Sequence, residues 1–198
     1  MTAELIPSRK FTVEEYLDYE QTSELKHDFF NGELLDMSGG SMNHSGITSN
    51  LIIEFGMRVK GTPCRVFESN LRVRVQKGTL YSYPDLMIVC GEPQHDPADK
   101  HKTTIINPRV IFEVLSPSTE LWDRSEKFKR YRNLDSLEEY VLVSQNIPSV
   151  DSFWKDADGN WSLRGTDGLE TSLALRSMAI EVPMSDVYRG VEFPPQAA

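Results

Sequence analysis

Cysteine is scarce in this chain, and long apolar runs are absent. The only cysteines are Cys64 and Cys90, which lie in separate apolar runs without a ligand spacing such as C-x-x-C. This pattern predicts reduced thiols in the core. No apolar run reaches the roughly 18 residues that cross a bilayer, and the first residues lack the apolar centre of a signal peptide. We therefore expect a cytoplasmic protein with no membrane partner.

Internal repeats, linkers and low-complexity segments are also absent. The chain has 198 residues, of which 39% are hydrophobic and 26% charged. This composition is that of a globular protein and excludes disordered and coiled-coil classes. We expect one domain over residues 1–198.

Positive charge is in deficit, since 21 Lys and Arg residues face 30 Asp and Glu residues for a net charge of −9. Such a balance opposes nonspecific attraction to nucleic acid. Two segments, residues 58–77 and 121–132, are nevertheless basic and keep a phosphate-directed site open. Their cations are Arg58, Lys60, Arg65, Arg72, Arg74 and Lys77 in the first, and Arg124, Lys127, Lys129, Arg130 and Arg132 in the second.

Local signals predict a helix at residues 12–20, a hairpin around Asn31-Gly32 and a long amphipathic helix over residues 43–60. A further helix is expected at residues 123–133, where Asp123 and Glu126 have capping-box spacing. Turn signals in residues 150–175 predict a terminal hairpin. Strands are expected at residues 64–68, 71–75, 85–90, 110–115 and 139–144. The order indicates an α/β or α+β fold with a mixed central sheet covered by at least two helices.

Two carboxylates stand in or beside strands that are otherwise apolar, Asp85 before one strand and Glu113 inside another. Burial of an ionised carboxylate is costly unless it is paired or binds a metal. The pattern is therefore consistent with a site for a hard cation such as Mg²⁺ or Mn²⁺. Structural roles remain open at this point: Asp85 as a turn cap, and Glu113 as a partner of Arg109.

Several motifs occur in a characteristic order: Tyr83 to Val89, the segment Glu113 to Thr119, and then Asp123, Lys127 and Tyr131 before residues 139–143. In this respect the chain, from about residue 11 to 190, resembles the Uma-two family of restriction-endonuclease-like proteins in the PD-(D/E)XK nuclease superfamily. The resemblance implies a mixed central sheet flanked by helices, with N-terminal and C-terminal hairpins. It also implies a metal-dependent endonuclease.

By this resemblance, Asp85 belongs to the superfamily's PD motif and Glu113 is its second acidic residue; both would bind the metal. The motif lysine should stand at position 115, which is leucine here. The resemblance indicates that a lysine of the next helix replaces it, Lys127 or alternatively Lys129. Helical geometry favours Lys127, since it shares a face with Asp123 and Tyr131.

Further residues are expected near the metal or the substrate. Asp28 and His44 match family positions and are expected around the metal, although His44 alternatively caps its own helix. Asp123 and Tyr131 are expected in the same surroundings. Arg72 and Arg74 are expected to bind the phosphate backbone.

The sequence thus predicts Mg²⁺- or Mn²⁺-dependent phosphodiester hydrolysis by Asp85, Glu113 and Lys127, on DNA rather than RNA by resemblance alone. Two rivals remain: a noncatalytic homodimeric interaction protein on the same scaffold, and a hydrolase of a small phosphorylated molecule. We expect a homodimer whichever of these functions applies. The acidic and histidine-containing loop at residues 94–102 is expected to be solvated and not to bind zinc.

Overall fold

A computed structural model describes residues 10–37, 39–75 and 80–195. Its helical segments are α1 (Val13–Thr22), α2 (Met42–Val59), α3 (Glu120–Trp122), a π-helical turn (Asp123–Lys127), α4 (Phe128–Tyr131) and α5 (Met184–Val187). Its strands are β1 (His27–Phe30), β2 (Glu33–Asp36), β3 (Cys64–Glu68), β4 (Arg72–Val75), β5 (Leu80–Ser82), β6 (Leu86–Cys90), β7 (Thr104–Ile105), β8 (Val110–Leu115), β9 (Glu139–Ser144), β10 (Ser149–Lys155), β11 (Trp161–Asp167), β12 (Ser172–Leu175) and β13 (Ile180–Pro183).

The strands form a six-stranded sheet in the order β11-β10-β9-β8-β6-β3 and a five-stranded sheet in the order β2-β1-β5-β4-β7. In the larger sheet β8 and β9 are parallel, whereas the other pairs are antiparallel. β12 and β13 form a separate hairpin. The predicted mixed α+β fold is confirmed.

The hairpin of β1 and β2 turns at Asn31 and Gly32, whose φ angles are 51° and 92°. Two successive positive φ values define the type I′ turn that an Asn-Gly pair favours. The turn fixes the register that pairs Asp28 with Leu35 and Phe30 with Glu33. This register fixes which side chains of β1 and β2 share one face of the hairpin.

Helix α2 covers one face of the six-stranded sheet. Ser41 caps it, since the side chain accepts a hydrogen bond from the backbone N–H of His44 at 3.1 Å. Its apolar stripe is fully buried, and Phe55 packs on Phe112 with ring centroids 4.8 Å apart. The same helix therefore closes the core and presents His44 in its first turn.

The helical segment after β8 begins earlier than the sequence predicts. It starts at Glu120, preceded by Thr119, so the proposed cap at Asp123 is wrong. Asp123 lies inside the π-helical turn and is buried, with only 2% of its surface exposed. As expected, Tyr131 is buried, while half-buried Phe128 packs against Tyr140.

Cys64 and Cys90 form a disulfide, which corrects the prediction of two reduced core thiols. They are directly opposite each other in the antiparallel pair of β3 and β6, and both are half-buried. The sequence places them 26 residues apart and does not reveal that the two strands are neighbours.

In the part of the chain that the structure describes, no helix is long and apolar enough to span a membrane.

Candidate active site

The strand register brings the two predicted acidic residues together. Leu86 is paired with Phe112 and Met87 with Ile111, so extending the pairing by one residue places Asp85 opposite Glu113. Neighbouring positions of this kind have Cβ atoms about 5 Å apart. Both side chains line one cleft, whose volume is about 530 Å³.

Asp85 is held by two groups. Its Oδ2 accepts a hydrogen bond from the backbone N–H of Val114 at 2.7 Å, and Nε2 of His44 lies 3.2 Å from the same oxygen. The hydrogen bond with Asp85 raises the pKa of His44, although burial acts in the opposite direction. His44 therefore orients Asp85, whereas the cap of α2 is Ser41.

Lys127 enters the cleft from the π-helical turn. Its Nζ lies 2.9 Å from Oε1 of Glu113 and 3.2 Å from Oδ1 of Asp123. A third carboxylate, Oδ2 of Asp28, is 3.7 Å away. Burial lowers the pKa of Lys127, but the surrounding negative charges outweigh burial and leave this pKa well above its ordinary value. The side chain is therefore a buried ammonium ion.

The leucine at the expected lysine position has a packing explanation. Leu115 lies two residues beyond Glu113 in β8, is only 3% exposed, and belongs to a core cluster that includes Tyr131 and Leu142. A lysine there would place its charge among apolar side chains. The next helical segment supplies the ammonium ion instead. Lys127 follows Asp123 by four residues, about one helical turn, and its Nζ contacts both Asp123 and Glu113.

Lys129 is the alternative that the structure separates clearly from the cleft. More than half of its side chain, 58%, is exposed, and its Nζ lies 3.5 Å from Oε1 of Glu126. Tyr131 follows Lys127 on the buried face and donates a hydrogen bond to Oε1 of Glu113 at 3.2 Å. Lys127 and Tyr131 therefore both contact Glu113.

Asp28 reaches the cleft from β1 of the five-stranded sheet. Its Oδ2 accepts a hydrogen bond from Ser82 at 2.7 Å, and its Oδ1 accepts one from the backbone N–H of Tyr83 at 3.0 Å. Burial raises the pKa of Asp28, and the charge of Lys127 only partly offsets this effect. Both larger sheets therefore contribute a carboxylate to the same site.

Negative charge is in surplus in the cleft. Asp28, Asp85, Glu113 and Asp123 all line it, and Lys127 is the only lysine among its described lining residues. Burial raises the pKa of Glu113 well above the ordinary range, and the nearby charges of Asp123 and Asp85 raise it further against the opposing effect of Lys127. The single ammonium ion of Lys127 therefore does not balance the carboxylates of the site.

The donor set fits a hard divalent cation in its chemistry. Among the residues that the structure describes, no three His, Cys, Asp or Glu side chains are grouped so as to hold a metal ion. However, Mg²⁺ commonly binds through one or two carboxylates, with waters and substrate oxygens completing its shell. Asp85 and Glu113 match this requirement, and the surplus negative charge favours a cation there.

The two arginines expected to bind phosphate do not line the cleft, which corrects that prediction. Arg72 is 1% exposed, and its guanidinium donates to Asp99 and Thr103 and packs over the ring of Tyr16. Arg74 is paired with Asp96 and lies over the ring of Tyr81. The loop at residues 94–102 thus supplies buried carboxylates to these arginines. Lys77, in the same basic segment, lies outside the described residues.

Sequence reasoning missed the apolar part of the cleft. Phe30, Leu35, Met37 and Trp122 line it together with Ser116, Ser118 and Thr119. In a sequence, an apolar residue in a strand or helix looks like a core residue, so nothing distinguished these four side chains from residues of the core. The serines and threonine directly follow Glu113-Val114-Leu115, and that position after a strand was the available signal.

Comparison with a solved structure identifies the fold class. The chain superimposes with a TM-score of 0.74 on the crystal structure of "a putative nuclease belonging to DUF820" from Anabaena variabilis ATCC 29413. The alignment covers 90% of this chain and 97% of that chain, at 16% sequence identity. The two proteins therefore share a fold.

The family follows from sequence comparison. Residues 13–185 match the Uma2 family, described as "putative restriction endonuclease", and the chain belongs to this family. Two uncharacterized proteins of Synechocystis sp. (strain ATCC 27184 / PCC 6803 / Kazusa) are similar. One, slr1290, is 35% identical and covers 94% of this chain and 96% of its own length; the other, sll1609, is 31% identical and covers 85% and 94%. The predicted family membership is confirmed.

Proposed function

We propose that this chain is a divalent-metal-dependent endonuclease that hydrolyses phosphodiester bonds, with DNA as its substrate rather than RNA. The observation that carries the proposal is the meeting of Asp85, Glu113 and Lys127 in one cleft. The family description and the name given to the Anabaena structure support the reaction class. The choice of DNA rests on the words "restriction endonuclease" in the family description.

In this proposal, Asp85 and Glu113 hold Mg²⁺ or Mn²⁺ through their carboxylate oxygens. A bound divalent cation supplies Lewis acidity, which favours deprotonation of water and offsets negative charge on the phosphate. His44 and the backbone N–H of Val114 fix one oxygen of Asp85. Tyr131 fixes one oxygen of Glu113.

Lys127 has a separate role in the proposal. Three carboxylates, those of Asp28, Glu113 and Asp123, surround its Nζ, so in this proposal it acts as a positive charge rather than as a base. An ammonium ion in a buried cleft stabilises negative charge that develops on a phosphate oxygen. Asp123 and Glu113 hold the ammonium in place before substrate arrives.

The test is a nuclease assay of the purified full chain on plasmid DNA, single-stranded DNA and RNA with Mg²⁺ or Mn²⁺. We expect Asp85→Asn and Lys127→Met to lower the initial rate by at least about 100-fold. Matched controls are Asp158→Asn, in an exposed turn, and Lys129→Met, at an exposed lysine two residues along the same helical segment. Both controls should keep the wild-type rate.

Thermal unfolding of every variant shows that the fold is retained. If wild type and Asp85→Asn share one background rate with every substrate, the proposal is wrong. Faster cleavage of RNA than of DNA would keep the nuclease but overturn the choice of DNA.

A further inference from the structure

One face of the β1–β2 hairpin is turned toward the cleft. Asp28 and Phe30 are two residues apart on β1 and so lie on the same face of the strand. Their register partners on β2 are Leu35 and Glu33, respectively. All four side chains line the cleft, as the alternation of a strand requires. The hairpin therefore places two apolar side chains beside Asp28: Phe30 on the same strand and Leu35 directly opposite it.

An aromatic surface extends this apolar region. Trp122 packs on Phe30 edge to face, with ring centroids 5.4 Å apart, and both residues are half-buried. Met37 also lines the cleft. We call Phe30, Leu35, Met37 and Trp122 the apolar lining. It begins beside the carboxylates, since Trp122 directly precedes Asp123.

The cleft offers little to the backbone of a duplex. Proteins bind duplex DNA mainly by neutralising several phosphates with Lys and Arg. No arginine occurs among the described residues of the cleft, and Glu33 and Asp36 at its surface are acidic and exposed. A duplex would meet negative charge there.

The nearby basic segment does not compensate. Arg124 is paired with Glu120 and Asp151, while Arg130 is paired with Glu126 and lies over the ring of Phe30. The carboxylates that pair with these two arginines lie outside the cleft lining, and neither arginine lines the cleft itself. The volume of about 530 Å³ is also that of a pocket for one small molecule.

We propose that the cleft takes one unpaired nucleotide, with its base against the apolar lining and its phosphodiester toward Asp85, Glu113 and Lys127, so that the substrate is single-stranded. A base exposes its flat face only when it is unpaired and unstacked, and aromatic side chains then bind it with little dependence on sequence. The inference rests on the proposed nuclease function and narrows its substrate.

The experiment compares one fluorescein-labelled 20-nucleotide DNA strand with the same strand in a blunt duplex. Initial cleavage rates are measured with Mn²⁺, and binding is measured by fluorescence anisotropy with Ca²⁺ in its place. We expect the single strand to be cleaved and bound at least about 10-fold better. A thymidine dinucleotide, added as a third substrate, tests whether the cleft itself supplies recognition; slow but measurable cleavage supports the proposal.

The aromatic contact is tested with Trp122→Ala, Trp122→Phe and the control Trp154→Ala, a half-buried tryptophan that lies on β10 against Arg176. Trp122→Ala should weaken single-strand binding roughly 5- to 100-fold. Trp122→Phe should restore most of it, and Trp154→Ala should bind like wild type. Equal losses in Trp122→Ala and Trp154→Ala would contradict a contact with the base.

The outcomes separate this inference from the nuclease proposal. Cleavage of the duplex as fast as the single strand overturns the inference and leaves the nuclease intact. Tight single-strand binding without cleavage keeps the nucleotide site and overturns the nuclease. If neither binding nor cleavage occurs, both proposals are wrong.

Discussion

Glu139 shows how a buried carboxylate outside the cleft shapes the response to pH. It is fully buried at the start of β9 and accepts hydrogen bonds from the backbone N–H groups of Arg176 and Ser177, each at 3.1 Å, and from the Ser177 hydroxyl at 2.7 Å. Burial raises the pKa of Glu139, and these hydrogen bonds only partly offset it. The folded protein therefore takes up a proton here at a higher pH than the unfolded chain does.

This shift predicts a pH-dependent difference between wild type and Glu139→Gln. A raised pKa contributes stability below the unfolded pKa, and this contribution is lost as pH rises through the folded pKa. The free energy of unfolding of wild type, relative to that of Glu139→Gln, should therefore increase as pH falls from neutral toward the ordinary glutamate pKa. Urea denaturation at a series of pH values measures both proteins, and an opposite slope of the difference would refute the assignment.

Individual residues also show where sequence reasoning succeeds. Asp85 and Glu113 stand out because each interrupts an apolar run, and a buried charge needs a partner. Arg72 was placed wrongly because strand alternation shows which side chains share a face but not what covers that face. Its partner Asp99 lies in a loop that sequence reasoning described as solvated. Trp122 was missed because an aromatic residue in a helix gives no sign of facing a cleft.

At the scale of elements, the hairpin turn permits a direct test of backbone strain. Gly32 has a φ of 92°, and an added Cβ would lie 2.9 Å from Cβ of Lys10 and 3.2 Å from the backbone oxygen of Phe11. We expect Gly32→Ala to lower the free energy of unfolding by more than the roughly 1–2 kcal/mol that a left-handed conformation costs an L-residue. Chemical denaturation measures this loss.

The matched control is Gly159→Ala in the turn between β10 and β11. Its φ is 84°, but an added Cβ there would meet nothing within 4 Å. It should show the conformational cost alone, so the excess loss in Gly32→Ala reports the contact with the segment before α1. Equal losses in the two variants would mean that this contact is unimportant.

The disulfide joins an edge strand to the strand that begins beside Asp85. A cross-link between residues 26 positions apart limits the unfolded chain and stabilises the folded protein by about 3 kcal/mol. We expect the double variant Cys64→Ser with Cys90→Ser to lose this amount in guanidinium denaturation. Dithiothreitol should lower the stability of wild type by a similar amount and leave the variant unchanged. A wild type that does not respond to dithiothreitol would show that the bond does not form.

Elements with local signals were predicted well, and elements that depend on distant partners were not. The Asn31-Gly32 turn and α2 follow from residues within one or two turns of each other. The sequence predicts a polar loop at β7, since its two residues form a strand through parallel pairing with β4 and an antiparallel bridge from Ile105 to His95. The π-helical turn has no local signal either. It lies between Asp123 and Lys127, which form a buried ion pair with each other.

At the scale of the whole molecule, excess negative charge is concentrated where it is least solvated. The chain carries a net charge of −9, and six carboxylates line the cleft with Lys127. Four of them, Asp28, Asp85, Glu113 and Asp123, are buried or half-buried. Buried like charges destabilise the folded state unless they are protonated or neutralised by a cation. A divalent ion in the cleft should therefore act on global stability as well as on activity.

We expect Mn²⁺ to raise the thermal unfolding midpoint of the full chain. An ion that binds only the folded state, at 100 times its Kd, adds about 2.7 kcal/mol. For a chain of this size that corresponds to roughly 5–10 °C. The increase should disappear in Asp85→Asn combined with Glu113→Gln and persist in Asp158→Asn. Unfolding without metal is measured for the double variant as well, since it loses the contact of Glu113 with Lys127 and that of Asp85 with His44 together with two like charges. An equal shift in all three proteins would place the ion on the acidic surface instead of in the cleft.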